Sequence, residues 1–463
     1  MADYPKRESL FGTDGIRGTP GFYPLTDGMI FKIGLSIAKI ITYKRKKSSS
    51  VVVGRDTRLT GRRIEAILCD AINFYGIDVF STGVITTPGL SFLVKELGAD
   101  MGIMISASHN KPTDNGIKFF DSGGFKLSRQ EEEWIENIIF SNLIHRPQGL
   151  RPTRTGEIHP VKKAQVKYIE FLASTCGINL DGLHIAVDCG WGAASGIAPR
   201  LYKKLKARVT SIHDKPKGEN INIGGALDPF SLAELVRKEK ADIGIALDGD
   251  GDRCILVDEK GNILDGDYIL AIMGIYLMGK GKLPKNTIVA TVMSNLGLKQ
   301  CLEERGGKLI VTKVGDKYVL EALREHRLNI GGEQSGHIIF LDYLPSPDGL
   351  LTSLQVLKVI KDTGKPLSEL TKYMAKFPQV LVNVEVKEKK PFRDIPSVYN
   401  QLDYFNDLLK GNGRILLRYS GTEKLARIMV EGKDKKLITK IANTLAEAIK
   451  KEIGTATEVN SES

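Results

Sequence analysis

The chain has 463 residues, too many for one hydrophobic core, since single cores stop growing at about 250–300 residues. Its 42% hydrophobic and 26% charged content fits an ordinary soluble globular protein, and a net charge of +11 (66 Lys+Arg against 55 Asp+Glu) would suit either nucleic acid or a small anionic substrate. Five scattered cysteines (Cys69, Cys176, Cys189, Cys254, Cys301) never form C-x-x-C, which argues against a disulfide frame or a zinc site and for a reducing compartment.

The first residues, MADYPKRESLFGTDG, carry no apolar signal core. Lys44-Arg45-Lys46-Lys47 is the one dense basic run, and between a helix-like segment and a strand it reads as a solvated loop. Residues 51–108 read as a strand at Val51 to Val53, a helix through Ile64, Leu68, Ile72 and Tyr75, a strand at Val79-Phe80, a helix from Leu90 to Leu97, and a strand from Met101 to Ile105. Residues 184–252 repeat the order: strands at Ile185 to Val187, Arg208 to Ile212 and Ile243 to Leu247, with helices near Ile197 to Leu205 and at Leu232 to Glu239. Residues 286–336 do so again, with strands at Ile288 to Val292, Leu309 to Thr312 and Leu328 to Ile330 around helices at Leu296 to Glu304 and Tyr318 to Arg324.

Such alternation predicts open α/β sheets with helices on their faces. The last part differs, with strands at Val380 to Val386, Arg414 to Leu417 and Ala426 to Val430 before one long helix, Leu437 to Glu452. The expected fold class is therefore α/β: three similar mixed α/β domains plus a smaller C-terminal α+β domain, divided at 1–155, 156–256, 257–370 and 371–463. The longest apolar run, around Ile269 to Met278, falls far short of the ~20 residues a membrane span needs. No aromatic-basic interleaving of the kind single-strand binders use is present. The expectation is a cytoplasmic protein without nucleic-acid or membrane partners, monomer or homodimer.

Each copy of the repeat ends its last strand in an unusual loop, and in open α/β sheets ligands gather at such strand ends. The first reads Ser106-Ala107-Ser108-His109-Asn110, with Lys118 ten residues beyond the serine. A Ser-His-Asp hydrolase is disfavoured, because no G-x-S-x-G surrounds Ser108. The second, Asp248-Gly249-Asp250-Gly251-Asp252-Arg253, sets three carboxylates at alternate positions, a set of hard oxygens that suits Mg²⁺ or Ca²⁺. Glu259 falls where an EF-hand would have its twelfth-position ligand, but Arg253 occupies the position where that loop needs glycine, and the flanks IGIAL and CILV are strand-like. A serine together with a metal loop fits phosphoryl transfer, the serine carrying phosphate and a lysine or histidine moving the proton.

The third loop, Gly331-Gly332-Glu333-Gln334-Ser335-Gly336-His337, suits a hydroxyl- and amine-bearing ligand. Near the C-terminus, Arg418-Tyr419-Ser420-Gly421-Thr422-Glu423 with Arg427 gathers guanidinium, hydroxyl and freed backbone, an anion-binding set. Gly274 to Gly281 nearly fits a P-loop, but Gly281 replaces the required Ser or Thr.

These loops, with FGTDGIRG at 11–18, MSNLGLKQ at 293–300, TKVGD at 312–316 and RIMVEG at 427–432, make the chain resemble the α-D-phosphohexomutase family over nearly its whole length. GEQSGH narrows the likeness to the branch of bacterial phosphoglucosamine mutases. The resemblance implies four domains around a central cleft and an intramolecular phosphotransferase acting on a phosphosugar. In this branch the activity interconverts glucosamine 6-phosphate and glucosamine 1-phosphate through a 1,6-bisphosphate, for UDP-N-acetylglucosamine synthesis. The alternatives are a phosphomannomutase/phosphoglucomutase, or a non-catalytic sugar-phosphate or nucleic-acid binder. The resemblance further implies phosphate on Ser108, and Mg²⁺ held by Asp248, Asp250, Asp252 and that phosphate. It makes Lys118 and His109 proton-transfer groups, with Arg17 and Arg253 on the moving phosphoryl group. Glu333, Ser335 and His337 would grip the sugar, and Arg418, Ser420, Gly421, Thr422 and Arg427 the phosphate that is not reacting. The chain departs from the family pattern at Lys111, Tyr419 and Lys424, where other residues replace or displace proline, and at Gly224 to Asp228.

Overall fold

A computed structural model describes residues 9–12, 14–43, 49–141, 155–420 and 423–455. The basic run at 44–47 and residues 456–463 lie outside that set. The chain divides into two compact units: one holds three sheets, and the other, built from Asn295–Cys301 and the chain from Met374 onward, holds the fourth.

The three sheets of the first unit share one construction. In the first, Ser50–Arg55 runs parallel to Asp78–Val84 and to Met101–Ile105; the chain then reverses, and Asn115–Asp121 pairs antiparallel with Met101–Ile105. Ile16–Gly18 and Ile158–Pro160 close the two edges. In the second, His184–Asp188 lies parallel to Arg208–Ile212 and Ile243–Leu247, and Cys254–Asp258 returns antiparallel beside the last of these. In the third, Thr287–Thr291 lies parallel to Lys308–Thr312 and Ile330–Gly332, and Ile338–Phe340 returns. The sheets reach Ile158–Pro160 and Ile263–Leu264, a little past the divisions expected at 155 and 256.

The central parallel strands are buried on both faces, as near-continuous apolar runs require, whereas Asp78–Val84, Arg208–Ile212 and Lys308–Thr312 are only partly covered. Val51 to Val53, Ile185 to Val187 and Ile288 to Ala290 are fully covered. Of the return strands only the CILV run at 254–257 was read from the sequence as strand, and together they change the meaning of each loop. Residues 106–114, 248–253 and 333–337 are not strand-to-helix connections but reversals that join the last parallel strand to an antiparallel partner.

The second unit is an antiparallel sheet in the order Gln379–Glu385, Leu425–Gly432, Gly413–Tyr419, covered by the amphipathic helix Lys435–Ile453. Its core gathers Val382, Val384, Ile428, Val430, Ile441, Leu445 and Ile449. A second helix, Pro396–Leu409, stands between the first two strands, so the expected order of strands followed by one helix is corrected. Only Val398 and Leu409 of that helix are deeply buried, which explains its weak apolar signal. Among the described residues no helix is long and apolar enough to cross a membrane.

Candidate active site

Ser108 follows the buried strand Met101–Ile105 and sits in the left-handed region at φ 49°, a conformation serine adopts only when held there. Its amide donates to Ser106 Oγ at 2.9 Å, and Ser106 Oγ donates in turn to Asp56. The fully buried Arg58 pairs with Asp56 and donates to the carbonyls of Ser108, Asn110, Lys111 and Asp114. Lys111, where the family pattern has proline, is thereby fixed through its own carbonyl. The Ser108 hydroxyl, buried and 3.0 Å from Asp248 Oδ2, meets the aspartate loop directly.

Asp248, Asp250 and Asp252 each offer an oxygen within 4.8 Å of the others, and all three are buried. Strands flank the loop on both sides, and Glu259 accepts from Ser368 instead of completing a calcium loop. The crowding has an electrostatic signature: burial, then the Asp252 and Asp250 charges, push the Asp248 carboxyl well above its usual range. Asp250 Oδ1 is buried with no hydrogen-bond partner, although Oδ2 accepts from Thr87 and Lys118. A buried carboxylate oxygen without a donor is costly, and a hard divalent cation would satisfy it and relieve the repulsion, so this donor set fits Mg²⁺.

Lys118 lies in the middle of the return strand Asn115–Asp121, opposite Met104 and 2% exposed. Its Nζ stands 2.7 Å from Asp14, 2.9 Å from Asp250 and 3.5 Å from Asp252. Burial alone would lower its pKa, but the three carboxylates outweigh that and raise it. Asp14 serves Arg17, Lys118 and Lys126 together, and Lys126 continues to Asp316 of the TKVGD segment. Arg17, on Ile16–Gly18, also reaches Asn110 at 3.1 Å, and its Nε is buried without a partner. His109 lies with Nδ1 3.4 Å from Ser108 Oγ and 2.9 Å from the Arg253 guanidinium; burial and then Arg253 depress it to about 4, leaving a neutral imidazole at pH 7.

The third reversal closes on the same place. His337 is held between Glu333 at 3.0 Å and Asp252 at 3.1 Å, with Arg253 Nε 3.1 Å from the same nitrogen that faces Asp252. Burial opposes a charge there, but Asp252 and Glu333 hold the imidazole protonated, to about 10. Glu333 also accepts from the Gly315 amide, and Ser335 lies half-buried on the turn between Glu333 and His337. Ser108, His109, Lys118, Arg17, the aspartate triplet, Arg253, Glu333 and His337 are thus brought together.

In the second unit Arg418 and Arg427 are register partners on neighbouring strands. Burial and then Arg427 lower the Arg418 pKa, Arg427 Nε is buried without a partner, and Arg427 Nη2 donates to Glu423 at 3.0 Å. Ser420 Oγ lies 3.4 Å from Arg427. Gly421 and Thr422 fall outside the described residues. Tyr419 stacks on Phe392 with centroids 4.2 Å apart and donates its hydroxyl to the Lys390 carbonyl. Those contacts supply stiffness where the family pattern uses proline.

Sequence reasoning missed Asp14, Asp56, Arg58, Thr87, Lys126 and Asn222. Only Asp14 carried a signal, as the acid within FGTDGIRG.

Four family models match the chain in order: Phosphoglucomutase/phosphomannomutase, alpha/beta/alpha domain I over residues 8–144, domain II over 166–261, domain III over 265–377, and the C-terminal domain over 381–448. The chain belongs to the phosphoglucomutase/phosphomannomutase family. As a family member it is an intramolecular phosphotransferase. A phosphoglucosamine mutase of Geobacter metallireducens is 47% identical over 452 residues, covering 96% of this chain and 99% of the relative. One from Syntrophotalea carbinolica is 44% identical over 457 residues, covering 98% and 99%. Solved structures share the fold. A phosphoglucomutase/phosphomannomutase family protein of Burkholderia thailandensis superposes with a TM-score of 0.79 at 23% identity, covering 96% of this chain and 99% of its own. The Aspergillus fumigatus N-acetylphosphoglucosamine mutase, in complex with GlcNAc-6P and magnesium, does so at 0.66 and 18%, covering 96% of each.

Proposed function

We propose that the chain is a phosphoglucosamine mutase, interconverting glucosamine 6-phosphate and glucosamine 1-phosphate through phospho-Ser108 and a 1,6-bisphosphate. The observation that carries the chemistry is the 3.0 Å approach of Ser108 Oγ to Asp248 within a buried triplet of aspartates. The choice of sugar is supported by relatives at 44% and 47% identity that bear this name over nearly the full chain.

Phospho-Ser108 gives its phosphoryl group to O1 of glucosamine 6-phosphate. The Oγ–P bond breaks, the O1–P bond forms, and the O1 proton passes by way of Lys118 or His109 to Ser108 Oγ. The bisphosphate turns over, Ser108 Oγ takes the 6-phosphoryl group, and its proton goes to O6 of the departing glucosamine 1-phosphate. Asp248, Asp250, Asp252 and the Ser108 phosphate would hold Mg²⁺, which neutralises charge on the transferring oxygens when bound. Arg17 and Arg253 add fixed positive charge at the same place. Glu333, Ser335 and His337 orient the sugar, and Arg418, Ser420, Gly421, Thr422 and Arg427 take the phosphate that is not reacting. Four domains divide this work, near 1–155, 156–256, 257–370 and 371–463.

Intact mass and peptide mapping of the purified protein test the reading. One phosphate is expected on Ser108, exchanging with labelled hexose 1,6-bisphosphate, and Ser108→Ala should abolish turnover. A Ser108→Ala enzyme that keeps more than a few per cent of activity would rule out a serine carrier. Turnover compared on glucosamine, glucose and mannose phosphates tests the choice of sugar.

A further inference from the structure

We infer that Asn222 is a positioning residue that fastens the phosphoserine loop to the metal loop, so that Ser108 and Asp248 keep their spacing through both half-reactions; the inference rests on the function proposed above. Asn222 lies outside every motif discussed so far, in the connection that follows the strand Arg208–Ile212. Its carboxamide makes three bonds. Nδ2 donates to the Ser108 carbonyl at 2.8 Å and to the Asn110 carbonyl at 2.9 Å, while Oδ1 accepts from the Gly249 amide at 2.8 Å. One side chain therefore holds the backbone of the serine reversal with its donors and the backbone of the aspartate reversal with its acceptor.

The grip is two-sided. Arg58 donates to the same two carbonyls, Ser108 and Asn110, each at 2.8 Å. Each carbonyl thus receives one donor from the first sheet's own loops and one from the second domain. Because Ser108 occupies the left-handed region, its hydroxyl direction depends on that backbone being held from both sides.

The residue type follows from the geometry. Only an amide offers two donors and an acceptor in one plane, and asparagine tolerates the left-handed backbone found here at φ 67°. Its own amide donates to the Gly190 carbonyl, which seats the segment on the second sheet. Gly249 leaves room for it: a Cβ there would stand 2.8 Å from Ile221 and 3.0 Å from Asn222 Nδ2. The neighbouring Trp191 carbonyl accepts from Thr57, so the two loops are also tied a few residues away.

The full-length enzyme carrying Asn222→Gly keeps the backbone conformation and loses the clasp. Asn222→Asp keeps the shape and turns a carboxylate toward two carbonyls. Displacing a reacting group by about 1 Å costs on the order of 100-fold, so kcat should fall about 10–100-fold while KM for glucosamine 6-phosphate stays within about threefold. The Mg²⁺ concentration for half-maximal rate should rise, and phospho-Ser108, followed by intact mass, should hydrolyse faster than in the parent enzyme. The inference is overturned by a folded, phosphorylated Asn222→Gly enzyme whose kcat and Mg²⁺ dependence match the parent. A loss of kcat with unchanged Mg²⁺ dependence and unchanged phosphoserine lifetime also overturns it, because that is what a purely structural residue would give. If Asn222→Gly does not fold, Asn222→Asp decides by the same readings. A parent enzyme without phosphate on Ser108 would instead overturn the function itself.

Discussion

Lys118→Met should weaken the fold and strengthen metal binding at the same time. The ammonium is buried and sits 2.7, 2.9 and 3.5 Å from Asp14, Asp250 and Asp252. At an effective dielectric of about 20, each contact represents roughly 5–6 kcal/mol of gross attraction, most of which offsets desolvation. Breaking one buried pair typically costs about 3–5 kcal/mol, because the partner charge is left without a counterion. In chelator-treated protein, stability should therefore drop by about that much, or several degrees of melting temperature at about 2 °C per kcal/mol. Methionine fills much of the lysine volume, so the loss reports the charge. The orphaned carboxylates should then accept a divalent cation more readily. If even a quarter of one gross contact, about 1.4 kcal/mol, had opposed the cation, affinity rises tenfold. Titration calorimetry with Mg²⁺ on parent and variant measures this. A variant that binds Mg²⁺ no tighter than the parent would refute the view that lysine and metal share one set of carboxylates.

Arg58→Met leaves Asp56 buried without its counterion and strips two loop carbonyls, Lys111 and Asp114, of the guanidinium that donates to them, so melting should fall by several degrees and turnover by tenfold or more, read by calorimetry and initial rates. Tyr419→Ala removes a stacked aromatic pair worth about 0.5–1.5 kcal/mol, so KM for the sugar phosphate should rise several-fold with kcat nearly unchanged. Asp348 caps the helix Gly349–Thr363 and accepts from Tyr168 at 2.6 Å, and burial raises its carboxyl to about 6. Its folded-state pKa exceeds the unfolded value, so the stability it contributes is complete below about pH 4 and is lost as pH rises through 6. Thermal melts from pH 4 to 6 should show Asp348→Asn gaining on the parent, by at most about 3 kcal/mol.

The parallel strands were legible because they are apolar runs bounded by turn residues, and the functional loops were legible because Ser, Asp and Glu clusters at strand ends have few other uses. Of the return strands only Cys254–Asp258 was, through its CILV run. Asn115–Asp121 opens with turn-like residues and carries a lysine at its centre, and the local pattern offers no reason to bury a cation. That reason lies in Asp14 and in aspartates more than a hundred residues away. Arg58 was hidden for a similar cause: within RDTRLTGRR it looks like one more solvated cation, and only four carbonyls from a distant loop make it a core residue. Asn222 shows no periodicity or cluster, and its meaning appears only when two loops from different sheets meet around it.

Each of the three loops turns a parallel strand into an antiparallel one, and the pairing of Met104 with Lys118 is counted through the first of them. Adding or deleting one residue there would swing every side chain of the returning strand to its opposite face, carrying the ammonium into the apolar layer and Phe119 into the acids. Surface connections ordinarily absorb length changes with little harm. Here natural variation can rewrite the letters of the serine segment, as Lys111 illustrates, but the distance it spans must be inherited intact.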